Sequence, residues 1–216
     1  MDEIKIKILQ KLLILPALLI GFTVHEYAHA YMADKLGDKT PRFQGRLTFN
    51  PLAHIDPMGF FMILFVGFGW AKPVQTNRSA YRNYYKDDLK VSIAGPLSNL
   101  ATAVIVTPIF LLFQKYGQGL IPNMKLSLVL FAIMQFIIIY NIMLCIFNLL
   151  PIPPLDGFHI LEDLYPSKFA EFRYKIQQYQ LFILIIFVVT PLFDYIVIGP
   201  SYKIFNLLIR LWSLLI

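Results

Sequence analysis

The sequence holds a single cysteine, Cys145, in the middle of an apolar run. That excludes an intramolecular disulfide and a thiolate metal cluster, and Cys145 reads as a small packed hydrophobe. Charge is scarce as well. Asp, Glu, Lys and Arg make up 15% of the 216 residues, while 57% are hydrophobic. Soluble domains average about 25% charged and roughly 45–50% apolar. A membrane protein is therefore the better reading. The lysines near the start precede apolar residues but no small-residue cleavage site, so this stretch reads as a retained span. There is no internal repeat and no low-complexity linker. The net charge of +6 does not point to nucleic acid. The basic residues sit in short loops between apolar runs, where membrane proteins carry topogenic Lys and Arg, and they form no basic face.

What is present is a series of long apolar runs. A membrane-spanning helix needs about 20 mostly apolar residues. The runs Val91–Phe113 and Leu126–Leu150 carry no charge, and Leu181–Pro200 carries only Asp194. The first segment, from Ile8 to Ala33, is apolar from Leu12 to Val24 and turns polar at His25. These four are the expected spanning helices. Pro57–Ala71 has 15 uncharged residues and three glycines, Gly59, Gly67 and Gly69. It is short for a span and reads as a re-entrant segment. In Lys203–Ile216 the residues Lys203, Asn206, Arg210 and Ser213 recur at steps of three and four, beside Trp212. They predict an interfacial amphipathic helix, with a tilted fifth span as the alternative. Arg42–Phe49 alternates around Gly45 and predicts a small β-hairpin. The expected fold is thus an all-α polytopic membrane protein, one domain over residues 1–216, with a re-entrant segment and one hairpin.

The first helix ends in His25-Glu26-Tyr27-Ala28-His29, an HExxH motif. Residues four apart share a helical face, so both imidazoles can bind one ion. Glu26 lies on the adjacent side, within reach of a water on that ion. Two neutral histidines holding zinc beside a glutamate general base is the metalloprotease arrangement. Chance HExxH matches occur on soluble helices, but ionisable residues entering a membrane are costly and are functional by default. A catalytic zinc needs a third protein ligand and an open position. Asp156 follows the third helix in Asn148-Leu-Leu-Pro-Ile-Pro-Pro-Leu-Asp156-Gly157. The prolines force an extended stretch that can return a carboxylate to the first helix. On spacing alone, a proline-rich turn with Asp156 capping the next helix is equally good.

These motifs together resemble the site-2 protease family of intramembrane zinc metalloproteases. Residues 25–29 match its first motif. Asn148 to Gly157 match its second, NxxPxPxLDG, at every fixed position. Ala94-Gly95-Pro96-Leu97-Ser98-Asn99 resembles the family's small-residue motif, and Gly67-Phe68-Gly69 the glycine motif of its re-entrant loop. The resemblance implies that His25, His29 and Asp156 bind Zn2+, that Glu26 is the catalytic base, and that Asn148 hydrogen-bonds the substrate backbone. It also implies that transmembrane proteins or peptides are the substrates, met within the lipid bilayer. The loop Gln114–Lys125 is too short for the PDZ domain that some members carry there. A metal transporter and a catalytically inactive membrane-protein binder are the rival readings. The transporter leaves Glu26 unexplained, and the intact HExxH and LDG argue against the inactive binder. His54 and His159 stay outside the ligand set, with His54 a candidate for a gating or ligand-supporting group.

Orientation follows from Lys and Arg. The loops 34–90 and 151–180 hold twelve, and the opposite face seven. The richer face is expected to be cytoplasmic and the N-terminus outside. A cysteine introduced near Arg82 is accordingly expected to be labelled only from the cytoplasmic side, and one near Gly119 only from outside; the reverse pattern overturns the orientation.

Overall fold

The computed structural model describes residues 3–66, 69–121 and 123–216. Its helices in chain order are α1 (Glu3–Lys35), α2 (Thr40–Phe43), α3 (Pro57–Val66), α4 (Tyr84–Leu120) and α5 (Met124–Asn148), then α6 (Asp156–Leu164), α7 (Pro166–Gln177) and α8 (Gln180–Val189). The last, α9 (Pro191–Ser213), contains a π turn over Asp194–Ile198. Four stretches are long and apolar enough to cross a membrane: Lys11–Lys35 of α1, Tyr84–Gly117 of α4, Met124–Asn148 of α5, and α9. Lipid tails are as apolar as leucine, so such helices are held by close packing and interhelical hydrogen bonds. Here α1, α4 and α5 pack on one another, and α9 lies on α4 and α5. The seam is Ala103 and Phe110 of α4 against Ile138 and Ile142 of α5, covered by Ile204, Phe205, Leu208 and Ile209 of α9.

Leu181–Pro200 is not the fourth span. The chain breaks at Thr190, which is extended at φ −91°, ψ 159°. Pro191 then opens α9 at its first position, where the missing N–H leaves no helical hydrogen bond unmade. Ten residues of α8 reach about 15 Å, half of a bilayer core. The C-terminal piece is therefore neither a separate interfacial helix nor a fifth span; it is the second half of α9. Phe193 lies 6.0 Å from Phe147 near the C-terminal end of α5, and Lys115 Nζ donates to Ile216 O at 2.8 Å. So α9 runs the length of the bundle, antiparallel to α5. Lys203, Asn206, Arg210 and Ser213 face away from it.

The hairpin at Arg42–Phe49 is also corrected. Among the described residues no strand forms; the sole extended pairing is an isolated bridge between Ile55 and Ala71. A local turn decides the matter. Asp38 Oδ1 accepts from the Thr40 N–H at 2.9 Å in an Asx turn, and Pro41 is preset for a first helical turn, so α2 forms. Gly45, at φ +68°, ends it, and the Arg46 N–H turns back to Pro41 O at 2.8 Å. The re-entrant path fares better. The chain enters α3 beside Ile55 and is back at that point by Ala71, with the Lys72 N–H donating to His54 O at 2.9 Å. Gly67 and Phe68 of the glycine motif lie outside the described residues.

A charged cluster ties the short α6 to the bundle. Arg78, in the 3-10 turn Arg78–Ala80, sends its guanidinium between α4 and α6. Nη2 is 2.7 Å from Asp88 Oδ2 of α4, and Nη1 is 3.6 Å from Glu162 Oε2 and 3.9 Å from Asp163 Oδ1 of α6. It also donates to His159 Nδ1 at 3.2 Å. Arg173 of α7 meets Glu162 at 2.5 Å. Three carboxylates thus share two guanidiniums. Burial, and then the Asp88 charge, push the Asp163 carboxyl up to about 8. Unfolded, it would ionise near about 3.9. Between those values the folded chain holds a proton that the unfolded chain has lost, so stability falls as pH rises through that window. Asp163→Asn mimics the protonated group. It is expected to flatten the fall in melting temperature between pH 7 and pH 8, where burial and Arg78 keep His159 neutral; an unchanged slope would exclude Asp163 as its source.

Candidate metal centre and active site

His25 and His29 lie one turn apart on α1 and face α4 and α5. Each has its Nδ1 committed. His25 Nδ1 is 2.7 Å from Asn99 Oδ1, and His29 Nδ1 is 2.8 Å from Val91 O. The Asn99 amide orientation is settled by its Nδ2, which donates to Gly21 O and to Asn141 Oδ1, both at 2.9 Å. Both partners of the imidazoles are therefore acceptors, so each Nδ1 carries the hydrogen and each Nε2 presents a lone pair. The two Nε2 atoms stand 3.0 Å apart. Asp156 Oδ2, from the first residue of α6, is 3.1 Å from His25 Nε2 and 3.3 Å from His29 Nε2.

Three lone pairs thus converge in a buried place with no hydrogen between them. Asp156 Oδ2 is buried with no hydrogen-bond partner. Such an arrangement calls for a cation. Ligand atoms at the corners of a tetrahedron about 2.0–2.1 Å from zinc would stand about 3.3 Å apart. The donor set of two neutral imidazoles and one carboxylate is that of a catalytic zinc site with one position open. His25, His29 and Asp156 are the one such group among the described residues.

Glu26 is nearly buried beside this group but is not part of it. Its Oε2 accepts from the Val74 N–H at 2.7 Å. Val74 belongs to a stretch pinned along its length. Arg46 donates to Ala53 O and to Pro73 O, and the Asn77 N–H donates to the buried Asp38 at 2.7 Å. His54 is wholly buried in this cap, its Nε2 donating to Thr48 O at 2.7 Å. It is a packed loop histidine. His159 belongs to the Arg78 cluster. Asn148 is not drawn into the metal group; its amide donates to Leu144 O of its own helix at 2.9 Å.

Asn141 and the Val74 amide escaped the sequence reading, and Gly95 and Asn99 appeared there only as part of the small-residue motif Ala94–Asn99, with no role toward the histidines. Gly95 faces the imidazoles so closely that a Cβ there would strike His29 Nε2 and come within 2.7 Å of His25 Cε1. The amides Asn99 and Asn141 stand inside otherwise uncharged runs, a signal that polar contacts cross between helices. One such contact contributes only about 0.6 kcal/mol on average. Its value here is orientation.

Comparison with known proteins agrees with this geometry. The family model described as peptidase family M50 matches residues 13–190. The chain belongs to this family. Bacillus subtilis has a relative named "Putative zinc metalloprotease YwhC", 42% identical over 182 residues, covering 83% of this chain and 81% of that protein. "Putative zinc metalloprotease Rip2" of Mycobacterium tuberculosis is 28% identical over 195 residues, covering 88% and 71%. "Putative zinc metalloprotease MJ0611" of Methanocaldococcus jannaschii is 31% identical over 144 residues, covering 66% and 65%. No solved structure matches the chain. Membership in M50 makes the chain a metalloprotease by family, and zinc the metal that the histidine pair and Asp156 can hold.

Asn99→Ala strips the acceptor from His25, and Gly95→Ala crowds both rings. Partners that orient metal-bound histidines typically contribute 10–100-fold in affinity. Each variant is expected to bind zinc at least about tenfold more weakly in competition with a chelator; wild-type affinity in both would rule out this support.

Proposed function

We propose that the chain is an intramembrane zinc endopeptidase that hydrolyses peptide bonds of membrane proteins within or near their spanning segments. In this reading His25, His29 and Asp156 hold the ion and Glu26 is the general base. The carrying observation is that Glu26 stands next to the three converging ligand atoms without joining them. Zinc, when bound there, supplies Lewis acidity and a water acidic enough to ionise near neutral pH.

The chain's own groups do the rest. Glu26 has one oxygen held by the Val74 amide, which leaves the other to take a proton from the attacking water and pass it to the leaving amine. Asn99 and Val91 keep both imidazoles in the tautomer that offers Nε2. A transmembrane substrate hides its carbonyls in helical hydrogen bonds and must be unwound before attack. Asn148 would offer that extended backbone an amide donor and acceptor, on release from Leu144. The single catalytic domain would sit with residues 34–90 and 151–180 on the cytoplasmic side, where the Lys and Arg excess lies. A transporter would use the same ligands but has no task for Glu26.

Glu26→Gln keeps the shape and the Val74 contact but cannot accept a proton. It is expected to retain zinc and substrate binding while cleaving at least about a hundredfold more slowly. Asp156→Asn removes a charged ligand and is expected to lose zinc along with activity. Elemental analysis and cleavage of a single-span substrate, on the same purified proteins in detergent, decide the matter. Full activity in Glu26→Gln would sink the protease reading and advance the transporter. Loss of zinc in Glu26→Gln, with zinc and activity kept in Asp156→Asn, would exchange the two roles.

A further inference from the structure

The third ligand stands on weak foundations unless something outside the metal site holds it. Asp156 is the first residue of α6, a helix of nine residues. The chain enters it from a proline-rich stretch, not from a long helix. Seven residues separate Asp156 from Asp163, two helical turns and about 10 Å along the axis. Residues at i, i+3 and i+7 share a face. Asp156, His159 and Asp163 therefore line one side of α6, with Glu162 beside them. One end of that side meets the histidine pair, and the other meets Arg78 and, through it, Asp88 of α4.

Without the guanidinium, the Asp88 and Glu162 charges at the Arg78 end would be left facing one another, while Asp163 keeps its proton. Asp88, Glu162 and Asp163 are all buried, and Asp163 shares a side-chain hydrogen bond with Asp88. Like charges brought together out of water oppose one another strongly. Removing the shared cation would drive the acidic end of α6 away from α4. A short helix pushed at one end tilts, and its other end carries Asp156. The same stretch of chain also carries the Val74 amide that holds Glu26, so one segment touches both the base and the ligand helix.

We propose that Arg78 is a positioning residue of the metal centre: by gathering Asp88, Glu162 and Asp163 at the far end of α6, its guanidinium sets the tilt that brings Asp156 to His25 and His29. The inference rests on the assignment of Asp156 as a zinc ligand. The test uses the full chain purified in detergent, with two readouts. One is zinc affinity in competition with a chromophoric chelator. The other is the ligand-field spectrum of the cobalt(II)-loaded protein, which reports the ligand set. Arg78→Met is expected to weaken zinc about tenfold, the low end for groups that support ligands, and to shift the cobalt spectrum toward that of Asp156→Asn. Adding Asp88→Asn to Arg78→Met removes one of the buried charges left without the guanidinium and is expected to recover part of both. Arg78→Lys, which keeps the charge but loses the planar fork, is expected to lie between, and it decides the question if Arg78→Met does not fold. Asp156→Asn behaving as wild type would remove the ligand assignment itself. A shift in Asp156→Asn with wild-type affinity and spectrum in both Arg78 variants, even at a lowered melting temperature, would overturn the role of Arg78.

Discussion

Two imidazole lone pairs and a carboxylate oxygen held within 3.3 Å of one another repel unless a cation lies among them. The rest of the architecture serves to hold that unfavourable arrangement ready. The α1 helix supplies two ligand atoms at fixed helical spacing. Asn99 and Val91 of α4 decide which ring nitrogen carries the hydrogen. Asn141 of α5 fixes Asn99 in turn. Each of the three central helices thus contributes to one chemical decision, the tautomer of His25 or His29. That is why polar side chains are tolerated at these depths of the bundle, where an unpaired amide would be costly.

The two sides of the site are built by different forces. On the bundle side, shape dominates: Gly95 lets both rings approach α4 closely, and small and branched residues close the seam below. On the loop side, the chain is short of apolar material and relies on charge and backbone pairing. Asp38, Arg46 and Arg78 each tie their own segment to at least one distant in sequence. A buried ion pair is a poor source of net stability but a good way to enforce one geometry among several. A site that must tell a proton-accepting oxygen from a metal-binding one needs that discrimination.

The ligands were legible because a helix turns a four-residue spacing into a shared face, and because charged groups beside apolar runs stand out. At Asp156 spacing left a helix cap equally good, and only the resemblance of Asn148–Gly157 to a family motif pointed to a ligand. The fold was legible in its long uncharged runs. It was not legible at Thr190–Pro191, where a continuous apolar run conceals a break at the extended Thr190, while Pro16, Pro96 and Pro108 in similar runs sit inside unbroken helices. Nor was it legible at Arg42–Phe49, where alternation suggested a hairpin and an Asx turn at Asp38 led into a helical turn. The supporting groups escaped for a common reason. Asn99 with His25, and Val74 with Glu26, are pairs separated by 74 and 48 residues. No local spacing encodes them.

The placement of Asp156 on α6 has a consequence for how the molecule is made. His25 and His29 leave the ribosome early, on the first helix, whereas their partner follows more than a hundred residues later, after α4 and α5. On the proposed assignment, a nascent chain that has not yet reached α6 carries two ligands and no third, and Glu26 has no properly held ion to work with. The order of the sequence therefore keeps the growing chain from gathering a full set of ligands during insertion, and completes the set only once the three central helices are in place.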